Sequence, residues 1–214
     1  MSTAQRKPTA ASAQRPATRS REQRGQDTRA AILRAAVELY ADGGFRGTGL
    51  IAIGQRAGVH HATVLYHFRT GKELLLAVLE EYDRRYLDLT SELLAEGGIR
   101  ALESLTLAGR FNAEHRLWAK LFTVLQVENI DPGAEAHAFF QKRRRVTHRL
   151  IVRLLREAKE RKQIRDDVDE CATADVVLAF MTGVRVQHFL DSQRVDVVAD
   201  YERFTRMLLR DLQA

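Results

Sequence analysis

The sequence predicts an all-α protein of about nine helices, and three observations carry that expectation. Apolar residues recur at helical spacing through most of the chain, no convincing alternating strand appears, and glycine and proline are scarce beyond residue 72. Only Pro132 and five glycines interrupt residues 73–214, which favours long helices. Seven of the thirteen glycines crowd between Gly43 and Gly71, where frequent punctuation calls for short elements and tight turns. Residues 1–26 contain Pro8 and Pro16 and hold no Leu, Ile, Val or Phe. Such a stretch cannot offset the entropy of ordering it, so a flexible basic tail is expected there.

The elements follow in order. Ile32, Leu33, Ala36, Val37 and Tyr40 share one helical face, and Asp42-Gly43-Gly44 ends that helix. A short apolar pattern of Leu50, Ile53 and Ala57 stops at Ala57-Gly58-Val59, and a helix of about two turns with Val64, Leu65 and Phe68 comes next. Leu75, Leu79, Tyr82, Tyr86, Leu89 and Leu93 form the seam of a long helix that Gly97-Gly98 closes. Helices are then expected over about 100–112 and 114–128, the latter with Leu117, Leu121, Val124 and Leu125. Pro132-Gly133 breaks the chain before a long helix over about 134–162 with Val146, Leu150, Leu154 and Ala158 on one stripe. Two more are expected near 169–190 and 197–212. The expected organisation is a tail over 1–26, a three-helix unit over 27–73 and a helical body over 74–214.

Composition removes several classes of function. A single cysteine, Cys171, rules out an intramolecular disulfide framework and fits a reducing cytoplasm. The run from Val176 to Leu190 is too short and too polar for a membrane span, and no secretory signal is present. No nucleophile–base set, phosphate-binding glycine loop or spaced metal motif is visible, so neither an enzyme nor a bound cofactor or metal is expected. His60 and His61 are adjacent and diverge on a helix, which makes them a poor metal pair. The net charge of +6 is unevenly placed: +5 on residues 1–26, +3 on 27–72 and −2 on 73–214. A basic head on a slightly acidic body is the asymmetry of a DNA reader.

Two short helices joined at Gly58 make a helix-turn-helix, whose second helix is offered to a major groove. His60, His61, Thr63, Tyr66 and His67 cluster there, and Lys72 follows where a cation and free backbone N–H groups together hold a phosphate. Residues 28–79 resemble the DNA-binding domain of the TetR (tetracycline-repressor-like) family of bacterial regulators. The matching pieces are Ile32-Leu33-xx-Ala36, Gly43-Gly44-Phe45-xx-Thr48, Ile53-xxx-Ala57-Gly58-Val59, Tyr66-His67-Phe68 and Lys72-Glu73-Leu74-Leu75. Beyond residue 79 the match is one of helical layout and length.

The resemblance implies a ligand-responsive transcriptional regulator, a repressor that a small-molecule effector releases from a double-stranded DNA operator. It also implies a homodimer paired through the last two helices. By position, Thr48 caps the second helix and touches phosphate, His61, Ala62, Thr63, Tyr66 and His67 face DNA, and Lys72 clamps the backbone. Three departures stand out. Leu65 occupies a place usually aromatic, an extra residue sits within Arg69-Thr70-Gly71, and Ile51 and Ala52 replace common polar residues. These departures keep an alternative open: a helical ligand-sensing or interaction module with weak or lost sequence-specific DNA binding.

The body offers aromatic residues for an effector cavity: Phe111, His115, Trp118, Phe122, Phe139, Phe140, Phe180, Met181 and Phe189, with His188 beside them. Core packing is the default role of each. Arg185 is a charge inside an apolar helix and needs a partner, across a dimer interface, on an anionic effector, or in solvent. Gly183 would permit a close helix approach. Arg143-Arg144-Arg145 point in three directions and are expected on a solvated face. The tail arginines could form a minor-groove arm or a passive solubilising tail.

Overall fold

The computed structural model describes residues 20–213. Its elements are α1 (Arg21–Gly43), α2 (Leu50–Ala57), α3 (His61–His67), α4 (Gly71–Glu96) and α5 (Gly98–Leu102), then α6 (Ser104–Glu114), α7 (Arg116–Glu128), α8 (His137–Glu160), α9 (Glu170–Leu190) and α10 (Val197–Gln213). No strand occurs among the described residues. None of the described helices is long and apolar enough to cross a membrane.

Three boundaries differ from the sequence expectation, each for a local reason. Helix α1 starts at Arg21, inside the stretch expected to be tail, because Ser20 and Gln23 form a reciprocal capping box. The rest of that expected tail, with Arg6, Lys7, Arg15 and Arg19, lies outside the described residues. The helix expected over 100–112 is two pieces, α5 and α6, parted at Glu103. Helix α8 starts at His137 rather than near Ala134. Buried Asn129 stitches the preceding loop, its Oδ1 accepting from the Ala136 N–H at 2.8 Å while its Nδ2 donates to the Leu125 carbonyl at 2.8 Å.

Helix α4 has 26 residues and is about 39 Å long at 1.5 Å per residue, so it reaches from the N-terminal unit into the body. Two buried clusters flank it. The first joins the inner faces of α1 to α4 (Ile32, Tyr40, Ile53, Val64, Phe68, Leu75) to Phe111, Leu121, Phe122 and Leu125 of α6 and α7. The second packs α5, α6, α8, α9 and α10 around Leu102, Leu155, Val177 and Tyr201. The core behind α3 is therefore continuous with the ring of Phe122 in the body.

Tyr40 is fully buried and its hydroxyl has no partner, with burial pushing its pKa far up. Leaving a buried hydroxyl unpaired costs about 1–3 kcal/mol. Tyr40→Phe keeps the ring on Phe45 (5.8 Å, edge-on) and removes that cost. Urea denaturation is expected to show a variant at least as stable as the parent.

Candidate nucleic-acid interface

The turn between α2 and α3 is built by glycine. Gly58 sits at φ 70°, ψ 29°, a left-handed conformation that a side chain would strain. The Gly58 N–H donates to Gln55 O at 3.2 Å and the Val59 N–H to Gly54 O at 2.9 Å, the paired bonds of a Schellman close. Gly54 then lets α3 approach: a Cβ there would lie 3.0 Å from Val59 O and 3.3 Å from Val64 Cγ2.

His60 caps α3, its Nδ1 accepting from the Ala62 N–H at 3.3 Å. Val64 and Phe68 face the core, and the Arg29 guanidinium lies 4.8 Å from the Phe68 ring centroid. What remains outward is the expected reading face. Tyr66 is 82% exposed, Ala62 is exposed, and His61, Thr63 and His67 are half-buried along its edge. The Tyr66 and His67 rings meet edge-on at 5.2 Å. Ile51 is exposed on α2, and Arg56 is paired with Glu38 of α1.

Thr48 departs from its expected role. The residue capping α2 is Gly49, with no side-chain bond, while the Thr48 hydroxyl donates back to Gly44 O at 2.7 Å. The hydroxyl closes the α1–α2 turn instead of meeting the α2 N–H groups. Lys72 lies in the first turn of α4, which Thr70 caps through the Glu73 N–H at 3.1 Å, and its Nζ stands 3.2 Å from Glu135. Both partners are about half exposed, so the pair is worth at most about 1 kcal/mol.

That ion pair belongs to a seam the sequence did not announce. Glu128, at the end of α7, accepts from the Phe45 N–H at 2.7 Å and the Arg46 N–H at 3.3 Å. Lys120 of α7 donates to Asp42 at 2.7 Å. A cleft of about 300 Å³ lies between Phe45, Arg46, Glu128 and the 129–135 loop. Three carboxylates thus tie the N-terminal unit to the body, across sequence separations that no local pattern reports.

The expected effector residues do not form one wall. Phe122 is the centre of a packed set: Tyr82 stacks on it at 4.3 Å, Phe140 meets it edge-on at 5.3 Å, and Phe111 meets Tyr82 edge-on at 5.6 Å. His115 is exposed and leans on Phe111 at 4.8 Å. Trp118 is half-buried against the first cluster, beneath the Arg85 guanidinium at 4.8 Å. Met181 and Phe180 pack with the second cluster. His188 and Phe189 sit at the end of α9 with Arg116, whose Nη1 donates to His188 Nε2 at 2.9 Å while His188 Nδ1 meets Val195 O at 3.0 Å. His188 also lines an open cleft of about 350 Å³ with Ala113 and residues 192–198.

Two guanidiniums approach the Phe122 ring, and Arg143 corrects the sequence expectation. Arg143 is turned inward from the expected solvated face: its carbon is 4.5 Å from the ring centroid and its Nε donates to Asp83 at 2.5 Å. Burial disfavours its charge, but Asp83 and Tyr82 outweigh that and raise its pKa. Arg144 pairs instead with Asp175 at 2.8 Å. Arg185 is only 5% exposed within the single chain, so its side chain is turned away from solvent. Its carbon lies 5.1 Å from the Phe122 centroid and its Nη2 donates to Gln126 Oε1 at 3.1 Å.

An outward second helix behind a glycine-closed turn, carried on an all-helical body, defines a helix-turn-helix protein. Residues 32–78 match the model of bacterial regulatory proteins of the tetR family. An A-factor receptor protein of Streptomyces griseus is 24% identical over 193 residues, covering 89% of this chain. The chain spans 65% of the length of that relative. SmeT in complex with triclosan superposes with a TM-score of 0.75 at 21% identity, covering 86% of this chain and 90% of that one. A structure described as the molecular basis for control of antibiotic production by a bacterial hormone gives a TM-score of 0.68 at 26% identity, covering 92% of this chain and all of the other. The family match falls on the segment from α1 into α4 that contains the α2–α3 turn.

Proposed function

We propose that this protein is a ligand-responsive transcriptional repressor that binds operator DNA as a homodimer and is released by a small-molecule effector in the body. The observation that carries the reading is the exposed face of α3, backed by a core that runs unbroken to Phe122. The A-factor receptor and the triclosan complex of SmeT support a small-molecule effector by their descriptions.

In this reading Ala62, Thr63, Tyr66 and His61 meet base edges and sugar-phosphate in the major groove. His60 and His67 flank them, and Lys72 holds the backbone beside the N-terminal N–H groups of α4. The dimer forms through α9 and α10. The outer face of α9 supports this with Val176 (58% exposed), Ala179, Gly183 and Leu190 (75% exposed) in a small apolar stripe of helical spacing. Paired recognition helices reach half-sites about 34–36 Å apart, so a pivot of a few ångströms breaks simultaneous contact. The lever is α4, and the Glu128 seam passes body movement to the α1–α2 turn.

Fluorescence anisotropy on the protein's own upstream DNA, across a salt series, tests the interface. Lys72→Ala is expected to weaken binding to all sequences and lower the salt slope by about 1. Changing His61 should instead alter sequence preference. Full affinity with an unchanged slope for Lys72→Ala would remove the phosphate contact, and absence of any sequence preference in the parent would favour the interaction-module alternative.

The seam has its own readout. Glu128→Gln removes a charged acceptor from two amides, a loss of about 1.5–3 kcal/mol for hydrogen bonds to a charged group. Hydrogen exchange at Phe45 and Arg46 is expected to accelerate by 10-fold or more, a change of about 1.4 kcal/mol. Unchanged protection would remove Glu128 from the coupling.

A further inference from the structure

The two guanidiniums at Phe122 are not equivalent. Arg143 has Asp83 as its counter-charge. Arg185 is more deeply buried, yet no carboxylate among the described residues pairs with it. Its single hydrogen bond goes to the neutral amide of Gln126, and its Nε has no partner. A buried charge is ordinarily paired, since desolvation disfavours it when it is left alone. A second buried polar atom without a partner is the Tyr201 hydroxyl on α10.

Burial pushes Tyr201 up to about 12, and Arg185 pulls the other way, which places the two groups within electrostatic reach. Tyr86 feels both Arg143 and Arg185 in the same sense. Asn112, buried on α6, favours the Tyr201 phenolate but does not meet the hydroxyl in hydrogen-bonding geometry. An open cleft of about 350 Å³ is walled by Ala113, His188 and residues 192–198. Its wall residue Ala113 follows Asn112 on α6, and its wall residue His188 lies one turn beyond Arg185 on α9.

We propose that Arg185, Gln126 and Tyr201 form the anion subsite of the effector site, and that the effector is an organic acid: a carboxylate on an apolar body. The inference rests on the regulator reading above and names the chemistry of its ligand. The carboxylate accepts from the Arg185 Nε and from the Tyr201 hydroxyl, supplying the missing counter-charge. The apolar body lies against Phe122 and Phe111. A guanidinium suits this because its planar fork matches a carboxylate.

Titration calorimetry on the full chain without DNA tests it, using benzoate and octanoate with their neutral amides as probes. The result expected is that at least one acid binds about 10-fold or more tightly than its amide, a charge-assisted hydrogen bond being about twice as strong as a neutral one. Arg185→Met should bring that ratio to about one and, by removing an unpaired buried charge, leave the ligand-free protein at least as resistant to heat. Tyr201→Phe, which keeps the ring and its packing on Phe180, should reduce the acid's advantage several-fold. It carries the test if Arg185→Met fails to fold. The proposal is overturned if neither acid is preferred over its amide, or if the preference survives Arg185→Met or, where that does not fold, Tyr201→Phe. Operator binding by the parent, measured separately, fails only if the regulator reading itself fails.

Discussion

Phe122→Ala is expected to lower the unfolding free energy by about 3–5 kcal/mol, the usual cost of emptying a fully buried phenyl site. Here the upper part of that range applies. The ring is stacked on Tyr82, edged by Phe140, and approached by both Arg143 and Arg185, so its loss strips packing and cation–π contact from two buried cations together. Neighbours cannot close the gap without moving guanidiniums whose positions other groups fix. Arg143 is held by Asp83 and Arg185 by Gln126. Since domains of this kind are stable by about 5–15 kcal/mol, the variant sits near the edge of folding. Urea denaturation checks it, and a loss under about 1 kcal/mol would show that the site collapses, contrary to a close-packed junction.

Gly54→Val is the second large effect, and it should fall on DNA binding. The added Cβ would stand 3.0 Å from Val59 O, a backbone atom of the turn, and 3.3 Å from Val64 Cγ2 on α3. Neither neighbour is the free end of a flexible chain, so α3 itself must move from α2. Overpacking of this kind costs about 1–3 kcal/mol per site. In the proposed dimer both recognition helices must return to register on binding, so about 2–6 kcal/mol is expected in the complex, or about 30-fold to 10⁴-fold in affinity. Circular dichroism should remain helical. Anisotropy showing parent-like affinity would mean that the α2–α3 packing does not place the reading face.

The parts legible in the sequence were those written locally. Gly58 after Ala57 marked the turn, and the spacing of Val64 and Phe68 told which face of α3 is core, leaving Tyr66 outward. The long α4 was legible from its seam of Leu75, Leu79, Tyr82 and Tyr86. Where apolar periodicity was absent, the reading went astray. Residues 21–26 have no apolar stripe, so a helix start set by the Ser20–Gln23 box passed as tail. Thr48 had the residue type of a cap, but backbone geometry placed Gly49 at that position.

Long-range pairings were out of reach altogether. Nothing near Glu128 announces that its carboxylate holds amides 82 and 83 residues away. The triple arginine shows the same limit, because helical geometry said that the three side chains diverge but not that Arg143 is the one turned onto Phe122. For Arg185 the sequence posed the question of a partner, and burial within one chain shows that the side chain is turned away from solvent.

The reading face of α3 is the centre of the proposal, and the most direct measurement of it is selection of duplexes from a random double-stranded DNA pool by the full-length protein. A two-fold symmetric motif is predicted, with half-sites spaced for two recognition helices about one helical turn apart. The variant with His61, Thr63 and Tyr66 all replaced by Ala is predicted to lose that motif while retaining weak, salt-sensitive binding. Recovery of no motif by the parent, or of the same motif by the variant, would contradict it.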